Sequence, residues 1–216
     1  MLSLLRPPAA RATSGATARS PAVFIQTETT PNPLTLKFIP GREVLGAGAR
    51  EFRNAEEAGA SPLALALFDV DGVSRVYFGS DFLTVTKHAG DVDWRHLKAP
   101  ILAAVMEHFS SGRPVIADGV AAGEGDGHED GAVYEGDAAQ IVAEIKDLLD
   151  TRIRPAVAQD GGDILFSRFE PESGVVWLHM RGACAGCPSS SATLKAGVET
   201  MLKRYVPEVT RVEQAL

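Results

Sequence analysis

Between Asp118 and Asp137 the chain carries six glycines, seven acidic residues and neither lysine nor arginine, and Tyr134 is the only aromatic residue of the stretch. A segment so composed cannot bury enough apolar surface to offset its ordering entropy. The chain is therefore expected to fold as two units joined by a flexible, self-repelling tether, with an acidic interaction tail as the second reading of the stretch. A length of 216 residues suits that division, being long for one small domain and comfortable for two. The expected boundaries are a leader over 1–22, an N-terminal domain over 23–115, a linker over 116–136 and a C-terminal domain over 137–216. Both domains are expected to be small mixed units of the α+β class.

Charge narrows the function classes. A net charge of -7 argues against a nucleic-acid partner, which demands a basic face, and no basic patch stands out. No apolar run approaches the roughly 20 residues a membrane-spanning helix needs, so no membrane partner is expected. Met1 to Ala22 carries Arg6, Arg11 and Arg19 and no acid among many Ala, Ser and Pro residues. That is the composition of a mitochondrial transit peptide, with a disordered or wrongly assigned leader as the alternative.

Within the N-terminal domain, Phe24–Glu28 and Leu34–Ile39 read as strands on either side of the Thr29-Thr-Pro-Asn-Pro33 break. Arg50–Ala58 reads as a short helix. Ser61-Pro62 supplies an N-cap and a proline at the first helical position ahead of Leu63–Phe68. Val73–Phe78 and Phe82–Lys87 form a hairpin across Gly79-Ser80-Asp81, and Asp93 caps a helix whose Leu97, Ile101, Leu102, Val105, Met106 and Phe109 share a face.

In the C-terminal domain, Asp137 with Gln140 predicts a capping box ahead of a helix faced by Ile141, Val142, Ile145, Leu148, Leu149 and Ile153. Pro155 is expected to end or kink it. Strands over Ile164–Phe169 and Val175–Met180 follow, then the cysteine loop. A helix opened by Pro188 comes next, with Leu194, Val198, Met201, Leu202 and Tyr205 as its buried stripe, and Val209 and Val212 suggest a last edge strand.

Cys184 and Cys187 are the only cysteines, both in the loop Gly182-Ala-Cys-Ala-Gly-Cys-Pro-Ser-Ser-Ser191. A thiol at a helix start is expected to have a lowered pKa, with Arg181 nearby, while Gly182 and Gly186 let main-chain N–H groups approach sulfur. As a bare pattern, Cys-x-x-Cys fits an iron–sulfur ligand pair, a zinc-bridged interaction module or a thioredoxin-like dithiol oxidoreductase. A thioredoxin dithiol belongs near the start of a βαβ unit, whereas this motif comes late and follows a hairpin. Zinc ordinarily recruits ligands from the same chain, and His88, His96, His108, His128 and His179 show no ligand spacing. An iron or zinc site needs four ligands, and one chain offers two. Two chains sharing one centre, most naturally a [4Fe–4S] cluster at a two-fold axis, is the economical reading. Asp160 and Asp163 read as Asx-turn residues that fix entry into a strand. Trp94 and Trp177 read as packing residues, and Lys195 and Lys203 as a solvated helix face.

Gly182-Ala-Cys-Ala-Gly-Cys-Pro-Ser-Ser190, preceded by Asp160-Gly-Gly-Asp163, resembles the C-terminal domain of NifU-type (Nfu) iron–sulfur scaffold proteins. Phe24-Ile-Gln-Thr-Glu-Thr-Thr-Pro-Asn-Pro33 with Leu36-Lys-Phe-Ile-Pro-Gly41 resembles the N-terminal domain that accompanies it in mitochondrial and bacterial members. The two motif sets stand in the expected order and cover nearly everything from Val23 onward. The resemblance implies a carrier rather than an enzyme, one that receives a [4Fe–4S] cluster from an upstream assembly scaffold and passes it to apo iron–sulfur proteins. The cluster would bridge a homodimer through Cys184 and Cys187. Bacterial-type members usually begin with methionine where this chain has Val23, and valine is the literal reading of an alternative start codon. The expectation is therefore a bacterial cytoplasmic protein translated from position 23, with the mitochondrial matrix as the alternative.

Overall fold

The computed structural model describes residues 24–46, 48–90, 92–117, 128, 132–186 and 188–215, with 188–191 as backbone alone. The leader over 1–22, residues 118–131 of the expected linker apart from His128, and Cys187 lie outside the described residues.

Alternation of apolar and polar residues builds the N-terminal sheet. Its strands are β1 (Gln26–Thr29), β2 (Thr35–Ile39), β3 (Arg50–Phe52), β4 (Val73–Phe78) and β5 (Leu83–Lys87), all antiparallel, in the order β1-β2-β5-β4-β3. Leu36, Phe38, Val76, Phe78, Leu83 and Val85 share a core with Leu63 and Leu67 of α1 (Pro62–Phe68) and with Leu97, Ile101 and Val105 of α2 (Trp94–Ser111). The intervening residues Thr35, Lys37, Tyr77 and Thr84 point the other way, yet all four are buried. The C-terminal half is what covers them. Lys37 donates to the carbonyls of Ala158 and Gln159, and the side chains of Thr84 and Tyr77 lie against Gly161 and Gly182.

The expected caps form: Ser61 Oγ accepts the Ala64 N–H at 3.1 Å, and the Asp93 carboxylate accepts from Arg95 N at 2.9 Å. Arg50–Ala58 departs from expectation. Arg50–Phe52 is a strand paired to β4 in the register Arg50↔Phe78 to Phe52↔Val76, and only Glu57–Ala60 makes a short 3-10 turn. Phe52 gains a fully buried, edge-on contact with Phe78 in that pairing, and this outweighs local helix propensity. On α2, Met106 is 47% exposed and His108 takes a buried position in its place.

The C-terminal half places helices on a three-stranded sheet in the order β6-β7-β8. β6 (Gly162–Glu170) and β7 (Val175–Gly182) are antiparallel, whereas β8 (Arg211–Gln214) runs parallel to β7 after the crossover helix α5 (Pro188–Tyr205). The first helix, α3 (Gly136–Leu148), starts after Glu135 without a side-chain cap, so Asp137 sits in its first turn and no capping box forms. Nor does Pro155 end the helical run. A π-helical segment, Leu149–Ile153, widens the ladder and α4 (Arg154–Gln159) continues with Pro155 in its first turn. A widened turn frees the carbonyl that the missing proline N–H would have bonded. Val198 and Leu202 of α5 are buried as expected, while Met201 and Tyr205 are exposed.

Side chains preceding α3 bond the outer edge of β6. His128 Nδ1 accepts the Phe166 N–H at 2.9 Å, and the Tyr134 hydroxyl accepts the Phe169 N–H at 2.8 Å and donates to its carbonyl.

His108 is buried with both ring nitrogens lacking a partner among the described residues. Burial, followed by the charges of Arg113 and Arg42, holds its pKa below the ordinary value of 6.5. Below that value the unfolded chain binds a proton that the native state refuses, so this group's contribution is present above pH 6.5 and is lost as pH falls. The denaturation midpoint is expected to drop between pH 7.5 and 5.5, and to drop less in His108→Leu, as followed by urea titration at each pH.

Candidate functional site

Two strand ends and a turn position Cys184. β6 begins and β7 ends side by side, with Gly162 opposite Gly182 and Asp163 opposite Arg181. Beyond Gly182 the chain turns back: Ala183 N bonds Gly161 O at 3.1 Å, Cys184 N bonds Arg181 O at 3.3 Å and Ala185 N bonds Gly182 O at 3.1 Å. Gly182 has φ +60, and a Cβ there would meet Gly161 O at 2.7 Å. A Cβ on Gly162 would overlap the Sγ of Cys184. The Asp160-Gly-Gly-Asp163 motif and the cysteine motif are thus two sides of one contact.

Asp163 is not an Asx-turn residue alone. Its carboxylate accepts the Ile164 N–H and takes Arg154 in a two-pronged pair, from Nε at 2.8 Å and Nη2 at 3.2 Å. Arg154 also bonds Asp150, which in turn meets His128. The π-helical segment sets the phase that brings Arg154 beneath the strand.

The thiol's acidity runs opposite to expectation. Cys184 is 5% exposed and lies in a turn four residues ahead of α5. Burial, then the nearby carboxylates of Asp163 and Asp160, pushes its pKa up to about 12 against a hydrogen bond from the Asp163 backbone, and Glu51 adds to the rise. Burial and the carboxylates together outweigh the one hydrogen bond that lowers the thiol's pKa.

Three residues of the N-terminal half reach this loop, and the sequence reading missed all three. Glu51 Oε1 accepts the Gly182 N–H at 2.9 Å, Asn32 Nδ2 donates to Ala185 O at 3.1 Å, and Lys37 binds the carbonyls just before Asp160. Pro31 joins Val157, Asp160, Ala183, Cys184 and Leu194 around a cavity of about 50 Å³ beside the thiol. That volume holds a few waters. Asn32 had a signal available, since it sits inside the Thr-Thr-Pro-Asn-Pro motif. Glu51 had none, because its strand read as a helix.

A tetrahedral metal site needs four donors. No group of three or more His, Cys, Asp or Glu side chains converges to hold a metal among the described residues. His179 lies within β7, opposite Leu165 of β6. The donor chemistry at the loop is soft sulfur, which suits iron or zinc rather than magnesium or calcium.

Comparison with known proteins decides the family. Residues 25–112 match the family described as "Scaffold protein Nfu/NifU N terminal", and residues 145–213 match the "NifU-like domain". The chain belongs to the Nfu/NifU family. Among Nfu relatives, it is 55% identical over 192 residues to NifU-like protein 4, mitochondrial, of Arabidopsis thaliana, covering 89% of this chain and 66% of that protein. It is 53% identical to NifU-like protein 5, mitochondrial, of the same plant, covering 89% and 68%. To the human protein named NFU1 iron-sulfur cluster scaffold homolog, mitochondrial, it is 47% identical, covering 90% and 72%. The chain therefore spans about two thirds of the length of these curated Nfu relatives. Their names overturn the expectation of a bacterial cytoplasmic protein, because the relatives at this identity are mitochondrial.

Two substitutions test this Nfu loop. Gly162→Ala forces the thiol or a strand end to move and is expected to cost about 1–3 kcal/mol. Arg154→Ala leaves the buried Asp163 carboxylate without its partner and is expected to cost roughly 3 kcal/mol. Urea denaturation at pH 7 measures both, and Arg154→Lys should recover only part of the loss because it cannot make the two-pronged bond.

Proposed function

We propose that this chain is an iron–sulfur cluster carrier that binds a [4Fe–4S] cluster through Cys184 and Cys187, shares it with a second copy of itself, and passes it to apo-proteins. One observation carries the reading: the only two cysteines of the chain stand three positions apart in one loop. Two such loops supply four thiolates, the set a cubane cluster takes. A two-fold homodimer brings them together without any further residue.

Shared ligation suits transfer. Each copy holds half the ligands, so the thiolates of an acceptor can displace one copy's pair while the dimer separates, and no covalent bond of a substrate is broken. Upstream assembly scaffolds are the expected donors and apo iron–sulfur proteins the acceptors. The mitochondrial names of the relatives support a matrix location. The functional division runs 23–115 and 137–216, with the cluster ligands in the second part and the connecting residues 116–136 permitting the two to move apart.

Anaerobic reconstitution with ferrous iron and sulfide tests the proposal. The expected product is a brown dimer with about four iron atoms per two chains, and Cys184→Ser or Cys187→Ser should each abolish it. A colourless monomer that reduces insulin disulfides would replace this reading with a dithiol enzyme, and stoichiometric zinc would replace it with a zinc-bridged module.

A further inference from the structure

We propose that the N-terminal half is a clasp on the cysteine loop: Asn32, Lys37 and Glu51 hold it shut over Cys184 in the cluster-free chain, and loading requires the two halves to part. The second clause rests on the shared-cluster reading given above. The first stands on geometry alone.

Three separate segments of the N-terminal half converge on the loop. The turn between β1 and β2 supplies Pro31 and Asn32, β2 supplies Lys37, and β3 supplies Glu51. Their bonds go to main-chain atoms: Glu51 and Asn32 hold the Gly182 N–H and the Ala185 carbonyl on either side of Cys184, and Lys37 holds the carbonyls of Ala158 and Gln159 at the end of α4, just before Asp160. Glu51 is itself steadied by Arg53 and Arg75, each at 3.6 Å. Asn32 is oriented by a second bond, its Oδ1 accepting the Leu34 N–H at 3.0 Å.

The closed arrangement excludes the cargo. The cavity of about 50 Å³ beside the thiol admits a few waters but no cube of iron and sulfide, and Pro31 of the N-terminal half is part of its wall. An anionic metal–thiolate centre next to the Glu51 carboxylate would also be repelled.

The interface is built to open. Its apolar content is two small patches, Ala158 against Ala49, Tyr77 and Phe82 and Pro31 beside Val157, Ala183 and Leu194, and the bonds made by Asn32, Lys37 and Glu51 are its polar part. Thr84 Oγ1, on the face that meets Gly161, is buried without a partner among the described residues. Polar interfaces of this kind between parts of one chain are the ones that separate.

Thiol reactivity in the full-length cluster-free chain reads the clasp directly. With Cys187→Ser in place, Cys184 is the sole thiol, and its alkylation by iodoacetamide at fixed pH is expected to be about tenfold faster in Asn32→Ala/Glu51→Ala than in the parent. Glu51→Gln keeps an acceptor for the Gly182 N–H and should hold the slow rate, which distinguishes an opened clasp from a damaged fold. Equal rates in all three chains would overturn the proposal. A second measurement uses no substitution: hydrogen exchange at the Gly182 amide should accelerate about tenfold or more on reconstitution, while the β7 amides near Leu178 stay protected. Unchanged exchange at Gly182 in a chain that has taken up its cluster would equally overturn it. If the variants open as expected but no chain takes up iron, the clasp stands and the cluster reading falls. If clusters form while alkylation rates stay equal, the reverse holds.

Discussion

The Sγ of Cys184 rests in the space a side chain on Gly162 would fill, and much of the structure depends on that approach. It requires β6 to begin where β7 ends, and it requires the loop to turn at Gly182 tightly against Gly161 O. It also places the Asp163 backbone N–H on the thiol and the Asp163 carboxylate beside it. That carboxylate needs Arg154, and Arg154 reaches it because the helical run passes through a π-helical segment instead of ending at Pro155. A sulfur atom in a loop thus sets conditions on a strand pair, a salt bridge and a helix irregularity.

The N-terminal sheet is unusual in having both faces buried by different kinds of contact. Its apolar face meets α1 and α2 and supplies the cohesion of that half. Its polar face meets the C-terminal half through the Lys37 bonds to the Ala158 and Gln159 carbonyls and through close contacts of Thr84 and Tyr77 with Gly161 and Gly182. Hydrogen bonds exchange readily with water, whereas the apolar core does not, so the two faces differ in how easily they are uncovered.

Much of this was legible in the sequence wherever a signal was local. The hairpin over β4 and β5, the Ser61 and Asp93 caps, the α3 stripe and the strand pair Ile164–Phe169 and Val175–Met180 all follow from spacing and turn residues. Arg50–Phe52 was misread because the decisive partner, Phe78, lies far along the chain. Pro155 was expected to end or kink its helix and does not end it, because a π-helical turn, which leaves no mark in composition, carries the chain past it. The cysteine loop was legible in the sequence, and the electrostatics around Cys184 were not. A Cys-x-x-Cys before a helix suggests an acidic thiol, but burial under a second domain and three carboxylates reverses the sign, and nothing at positions 182–191 announces Glu51.

The outer edge of β6 carries a different implication. An edge strand with free N–H groups is a template onto which another chain can add a strand. Here the Phe166 and Phe169 amides are already taken by the His128 ring and the Tyr134 hydroxyl, side chains that reach back from the sequence joining the two halves. The chain thereby blunts its most adhesive border, and any encounter with another chain is steered away from open-ended β-stacking.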